Sequence, residues 1–418
     1  MNDHVAPARR KLPDHVDPGR VIDLDIFRDD RYRSADSPHR ALQGSAEEFG
    51  RGVFWSPHNG GHWLLTSHEL IFEAWRTPEL FSSSAVAALP PMPDGSEPWL
   101  PPLSLDAPEH MKYRLPLIRA FSPARIKAME QDIRAFVVSL IEEFKAEGRG
   151  DFVDLIAEPL PSIIFMKIMG LDLSRLKEFR CWARNMANPD TQERLDAAGQ
   201  IAAMMAEVIA ARRSRREDDL LSYLIDCEID GRKLDDRQMQ GLCMLLFSAA
   251  LDTVTSTLST TMHHVARDPV LQERLRREPG KIGEAVEELL RLYSVTFASR
   301  RVVRDVEYHG VTMRKGDLVL LVIPLANSDP LIFANGTGFD LDREFKTHLA
   351  FGAGPHRCLG SHLARLELVT FFEEWFARMP DVRLDPSCTP RFSISMVLTF
   401  ENLDLVWDLS QAASGANP

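Results

Sequence analysis

The ten residues Phe351-Gly352-Ala353-Gly354-Pro355-His356-Arg357-Cys358-Leu359-Gly360 set a lone cysteine among glycines, just ahead of an apolar helical stretch. These residue types suit a thiolate that a large planar group can approach. Glycine leaves no Cβ in the way. A helix N-terminus near the sulfur favours the anion, and Arg357 and His356 add donors beside it. Such a thiolate can hold a haem iron and activate oxygen by pushing electron density towards it. Two plainer readings compete. A buried cysteine is usually a small hydrophobe, and a glycine loop ahead of a helix can cradle a phosphate.

Three further groupings could do chemistry or support it. Ala249-Ala250-Leu251-Asp252-Thr253 puts an acid beside a threonine inside a long apolar helical stretch. A buried carboxylate is costly unless paired, so the plain alternative is an exposed aspartate next to a back-bonded threonine. Asp106-Ala107-Pro108-Glu109-His110 opens a helix with Arg114 one turn on, so His110 and Arg114 share a face. Glu288-Leu289-Leu290-Arg291 is an (i, i+3) ion pair. On a surface such a pair contributes roughly 0–1 kcal/mol.

The elements that must position these residues are mostly helical. Apolar spacing predicts helices over 107–121, 124–147, 159–170, 173–187, 191–214, 236–266, 270–277, 281–293 and 360–378. Val53-Phe54-Trp55 and His62-Trp63-Leu64-Leu65 flank the hairpin signal Asn59-Gly60-Gly61. Short strands are expected within 306–322, and a last pair within 392–407. The segment 89–102 holds six prolines and cannot be a regular helix, yet Met92, Trp99, Leu100 and Leu103 are too apolar for a solvated loop. Arg212-Arg213-Ser214-Arg215-Arg216 runs straight into Glu217-Asp218-Asp219 and reads as a solvated connector.

Composition narrows the class. The 418 residues are 44% hydrophobic and 26% charged, as in ordinary globular proteins. A net charge of −12 argues against a nucleic-acid partner. Five scattered cysteines are no disulfide framework and fit a reducing cytoplasm. No segment is read as an apolar span of roughly 20 residues, so no membrane anchor is expected. Residues 1–20 are expected to be a flexible tail, and 21–418 one domain.

The cysteine segment resembles the haem-binding signature of the cytochrome P450 family through Phe351, Gly352, Gly354, His356, Cys358, Leu359 and Gly360. The likeness extends from about residue 20 to 408. It is nearest the camphor hydroxylase group of terpenoid-oxidising bacterial enzymes. Leu251-Asp252-Thr253-Val254, Glu288 to Arg291, Tyr308-His309-Gly310-Val311, Lys315-Gly316-Asp317 and Leu405-Val406-Trp407-Asp408 match that group in order.

The resemblance implies a mainly α fold, a helix-rich triangular prism with small β-sheet regions. It implies haem b (iron protoporphyrin IX) on Cys358, with His110, Arg114, Arg300 and His356 at the propionates. Asp252 and Thr253 would supply protons on the distal face, where O2 is reduced. Many members have glycine where this chain has Ala250. Glu288 and Arg291, joined by Arg343, would brace the loop before the cysteine. The substrate pocket maps to Trp99, Leu100, Leu245, Ser248, Ala249, Thr296, Met396 and Val397, with Pro98 or Trp99 standing where the camphor enzyme has a lid tyrosine.

The implied activity is cytoplasmic hydroxylation of a small apolar substrate of terpenoid type. Electrons would come from NAD(P)H through a reductase and a [2Fe-2S] ferredoxin, for which Arg114 is a candidate contact. A monomer is expected. The alternatives are a peroxide-driven enzyme, which often lacks the acid–threonine pair, and a haem-thiolate sensor without turnover. In the camphor enzyme the acid has basic partners. Here Asn188 alters that gate, so Arg180, over Arg184, is the expected partner of Asp252.

Overall fold

Nearly every stretch with helical spacing is a helix in the computed structural model, which describes residues 12–33, 37–85, 89, 99–186, 191–344 and 347–412. The lid residues Met92 and Pro98, and Asn188-Pro189-Asp190, lie outside the described residues. The chain is mainly helical, with small sheets, as expected.

The helix Asp236–Val265 organises the interior. It starts at a capping box: Gln238 N–H donates to Asp235 Oδ1 (2.8 Å) and Asp235 N–H to Gln238 Oε1 (2.9 Å). Its first half, with Leu242, Cys243, Phe247 and Leu251, packs against Met166, Phe179 and Met205. Its second half, with Val254, Leu258 and Met262, packs in a different cluster with Leu289, Phe371 and Trp375. The helix is long and apolar enough to cross a membrane by composition, which the reading of the sequence did not register. It is instead the shared wall of two cores. Its run of threonines and serines survives burial because the hydroxyls bond locally. Thr257, Thr260 and Thr261 each donate 2.7 Å to the carbonyl four residues back. The helix runs unbroken through Ala250.

A five-stranded sheet lies to one side, in the order Val53–Ser56, His62–Leu65, Leu318–Leu321, Ala298–Val302, Phe81–Ser82. Asn59, Gly60 and Gly61 all take positive φ, so the Asn-Gly-Gly signal is the hairpin turn. The pairing of His62–Leu65 with Leu318–Leu321 is parallel, and Trp63, Leu64 and Leu65 are fully buried.

Some boundaries differ. The expected helix 124–147 divides into Pro123–Ala128 and Glu130–Lys145 at Met129. The expected helix 173–187 begins as a 3-10 turn and continues as Leu176–Met186. The longest helices to escape the periodicity among the described residues are Pro38–Phe49, His68–Arg76 and Leu220–Asp226. Each is announced by a cap, Ser37, Ser67 or Asp219, whose side chain accepts from a first-turn N–H.

Residues 12–20 are not part of a flexible tail. Val16 is 4% exposed, and His15 Nε2 lies 2.9 Å from Asp317 Oδ2, so residues 12–20 pack onto the sheet. Residues 1–11 lie outside the described residues.

Candidate active site

The cysteine loop is set by close backbone approach. Gly352 and Gly354 both have φ +67°. A Cβ on Gly354 would lie 2.4 Å from the Trp75 carbonyl oxygen, so no larger residue fits. Cys358 N–H donates 2.7 Å to Phe351 O and closes the loop. The following helix starts at Ser361, three residues past the cysteine rather than at it. The sulfur opens into the interior cavity. Burial pushes the thiol pKa up, while the Gly360 N–H and the charges of Arg114, Arg365 and Arg357 pull it down. Burial wins in the protein alone, and a bound metal cation would reverse the balance.

That cavity measures about 500 Å³. Cys358, Leu359 and Leu363 line it together with Leu245, Ala249 and Thr253 of the long helix. Leu100, Ser248, Thr296, Met396 and Val397, read from the sequence as substrate contacts, also line it. Thr296 bridges Val397, and Phe297 N–H donates 2.9 Å to Met396 O, so these two segments fix each other.

Trp99 does not line the cavity and corrects the expectation. Its ring meets Tyr113 edge-on at 5.9 Å and carries the Arg237 guanidinium at 4.9 Å. It also lies where a Cβ on Gly241 would stand. The cation and the missing Cβ draw the indole to the outside of the long helix. Leu103 and Pro102 face the cavity instead. Ile164, Phe165 and Ile168 line it too and were missed. They sit on a helix, Pro159–Met169, that is apolar on nearly all sides, so spacing did not single them out.

The four expected donors are brought to one region. His110 and His356 have ring centroids 4.2 Å apart, and Arg114, Arg300 and His356 line the cavity. Arg300 is 3% exposed, and its Nη1 donates only to its neighbour's carbonyl, Ser299 O, at 2.8 Å. His110 Nε2 is buried with no hydrogen-bond partner. Arg114 donates to the carbonyl of Arg357, next to the cysteine. Burial lowers the pKa of Arg300 to about 10, of His110 to about 4 and of His356 to about 3. Among the described residues these donors have no carboxylate in contact. Two carboxylates seated there would satisfy them and raise their pKa values again.

Thr253 faces the cavity, and its hydroxyl donates 2.8 Å to Ala249 O. Asp252 is next to it and makes no hydrogen bond or ion pair among the described residues. Its carboxylate is accessible to water yet set deep in protein, and the depth governs its titration. Burial, then the like charge of Glu158, raises its pKa to about 6. Thr255 Oγ1 donates 3.1 Å to Ala157 O, which pins the Glu158 segment beside the helix.

Neither arginine is the partner of Asp252. Arg180 Nη2 donates to Asp154 Oδ1 (2.9 Å) and Glu158 Oε2 (3.2 Å). Arg184 Nε donates 2.6 Å to Glu158 Oε2 and also bonds Asp154. Two carboxylates closer to that helix outcompete the aspartate for both guanidinium groups.

Glu288, Arg291 and Arg343 form one buried network. Arg291 grips Glu288 with two bonds of 2.8 Å, and Arg343 Nε donates to Glu288 Oε1 at 3.0 Å. Arg291 also donates to the carbonyls of Asn327, Gly336 and Gly338. Asn327 Oδ1 in turn accepts from Leu349 N–H at 2.7 Å, at the start of the cysteine loop.

A helical fold with an open cysteine against an apolar cavity, and buried donors without acceptors at its edge, meets the requirements of a haem-thiolate protein. Known proteins agree. The cytochrome P450 family profile matches residues 175–378. A probable cytochrome P450 127A1 of Sinorhizobium fredii is 33% identical over 404 residues, covering 95% of this chain and 97% of its own. The steroid C26-monooxygenase of Mycobacterium tuberculosis is 31% identical over 354 residues, 82% of this chain and 94% of that one. The crystal structure of cytochrome P450 CYP101C1 superposes with a TM-score of 0.87 at 32% identity, covering 95% of this chain and all of that one. The chain belongs to the cytochrome P450 family. It is a haem-dependent monooxygenase of bacterial type, with haem b as cofactor.

Proposed function

We propose that the chain hydroxylates a compact apolar molecule of terpenoid class, using O2 and electrons from a [2Fe-2S] ferredoxin fed by an NAD(P)H-dependent reductase. The observation that carries this reading is the apolar cavity that Cys358 and Thr253 share. When bound, the haem supplies oxygen activation and insertion into a C–H bond. Cys358 would hold its iron, and His110, Arg114, Arg300 and His356 would hold its propionates. Leu100, Leu245, Ser248, Ala249, Thr296, Met396 and Val397 hold and orient the substrate and exclude water. Thr253 holds a proton at the oxygen-facing side, and Asp252 replenishes it from solvent. Glu288, Arg291 and Arg343 brace the loop and touch no reactant.

The cavity must seat the haem as well as the substrate, which favours a compact ligand over a fused-ring one. Ferredoxin docks near Cys358, with Arg114 as a contact. The protein works as a cytoplasmic monomer, and the single domain expected over 21–418 also takes in residues 12–20.

A spin-state titration tests the substrate class. Compact terpene hydrocarbons and ethers should shift the haem spin state more fully than camphor, because no tyrosine lies in 82–112 to hold a ketone. Losing one such hydrogen bond costs roughly 1–3 kcal/mol. Camphor, or a steroid, as the tightest and most fully shifting ligand would overturn the assignment.

A further inference from the structure

Two charged residues beside the cysteine loop take no part in the buried brace. Glu287 stands on the helix Ile282–Leu292, next in sequence to Glu288 but turned to a different neighbour. Glu288 grips Arg291 and Arg343, whereas Glu287 accepts two bonds from Arg365, Nε to Oε1 and Nη2 to Oε2, the second at 3.0 Å. Arg365 belongs to the helix Ser361–Arg378 that follows the cysteine. A bidentate pair fixes the plane of the guanidinium as well as its place. His348 Nε2 lies 3.3 Å from Glu287 Oε2, and His348 Nδ1 accepts from Ala350 N–H at 3.2 Å, so the pair is also tied to the segment entering the loop. Burial opposes a charge on Glu287, but His348 and Arg365 outweigh it and hold its pKa down at about 2. Glu287 is therefore a carboxylate at neutral pH.

The guanidinium so placed lies over the ring of Phe351, with its central carbon 4.4 Å from the centroid. That is a cation–π contact, and a planar guanidinium stacks on an aromatic face as an ammonium cannot. Phe351 is the residue whose carbonyl accepts the Cys358 N–H at 2.7 Å, and it lines the cavity. One residue therefore carries the positive charge on its ring and the cysteine on its carbonyl. The charge also reaches the sulfur, since Arg365 is among the groups that favour the Cys358 anion. Of the three arginines that do so, Arg365 is the one paired with a carboxylate among the described residues.

We propose that Arg365, oriented by Glu287, sets the reduction potential at which the iron held by Cys358 takes up its electron. The step concerned is one electron passing from reduced ferredoxin to iron(III), which becomes iron(II) with no bond made or broken. A cation near the thiolate stabilises the added negative charge, and a carboxylate beside that cation offsets part of the effect. Arg365 is a positioning residue. It does not line the cavity, and it acts through Phe351 and through the field at the sulfur. The proposal rests on Cys358 holding a haem iron.

Spectroelectrochemical titration of the haem-loaded enzyme, with dissolved mediators and no ferredoxin, is the test. In the absence of ferredoxin a lost docking contact cannot move the reading. Arg365→Met should lower the potential, leaving iron(II) roughly ten-fold less favoured, about 59 mV for one electron. Glu287→Gln keeps the cation and removes the offsetting charge, so it should raise the potential by a smaller amount. Arg365→Lys keeps the charge without the planar stack and should fall between the wild type and Arg365→Met. A merely structural role would move Arg365→Met and Glu287→Gln in the same direction, because both break the pair. If Arg365→Met loads no haem, Glu287→Gln and Arg365→Lys carry the test. An unchanged or lowered potential in Glu287→Gln, or an Arg365→Met potential at or above that of the wild type, would overturn the proposal. A wild type without a thiolate-type carbon monoxide spectrum would instead sink the haem assignment on which it rests.

Discussion

Replacing Arg291 with alanine should leave little folded, haem-loaded protein. The substitution strips Glu288 of two charge-assisted bonds at zero solvent exposure and frees three loop carbonyls as well. Breaking a buried pair by removing one partner costs about 3–5 kcal/mol, against a total stability of roughly 5–15 kcal/mol. Lysine should rescue poorly, because one ammonium cannot reproduce the planar fork that reaches Glu288, Asn327, Gly336 and Gly338 together. Arg343→Ala should cost less, since Arg343 shares only one bond with Glu288 and its other bonds go to carbonyls near the surface. Thermal melting and haem content per polypeptide give the comparison. Wild-type values for Arg291→Ala would mean that the network does not brace the cysteine loop.

Thr253→Ala should uncouple the enzyme. NAD(P)H and O2 consumption should continue while product falls by roughly ten-fold or more and hydrogen peroxide rises. The hydroxyl is the proton donor that faces the cavity, and alanine leaves the helix geometry intact. Asp252→Asn should act differently, slowing total turnover, because an amide neither takes up nor gives a proton at neutral pH. Asp252 has a folded pKa raised to about 6, so it is mostly ionised at pH 7 and fills with protons as pH falls through 6. The pH profile of turnover should carry that ionisation in the wild type and lose it in Asp252→Asn. Fully coupled turnover by Thr253→Ala would contradict the relay.

The sequence disclosed most of what carries a strict local constraint. The cysteine loop was legible because its glycines answer to positive φ and to the Trp75 carbonyl, which no other residue satisfies. The long helix was legible because its caps and its apolar faces agree. Contacts decided by competition were less legible. Nothing in the order of residues says that Arg180 and Arg184 prefer Asp154 and Glu158 to Asp252, since that depends on where a neighbouring helix begins. Trp99 turned away from the cavity for a similar reason: Gly241 and Arg237 make a better seat on the long helix. The pairing of Glu287 with Arg365 went unremarked because the two are far apart in sequence and each looks like part of a solvated helix face.

The carbon monoxide spectrum of the reduced protein, wild type beside Cys358→Ser, tests the central claim most directly. A thiolate that holds the iron would push electron density onto it, and the absorption band would move strongly to the red. The wild type should show that band in full, and Cys358→Ser should lose it together with oxygenase activity while retaining most of its helical content. An unshifted wild-type band, or a red-shifted band that survives Cys358→Ser, would contradict the assignment of Cys358 as the residue that holds the iron.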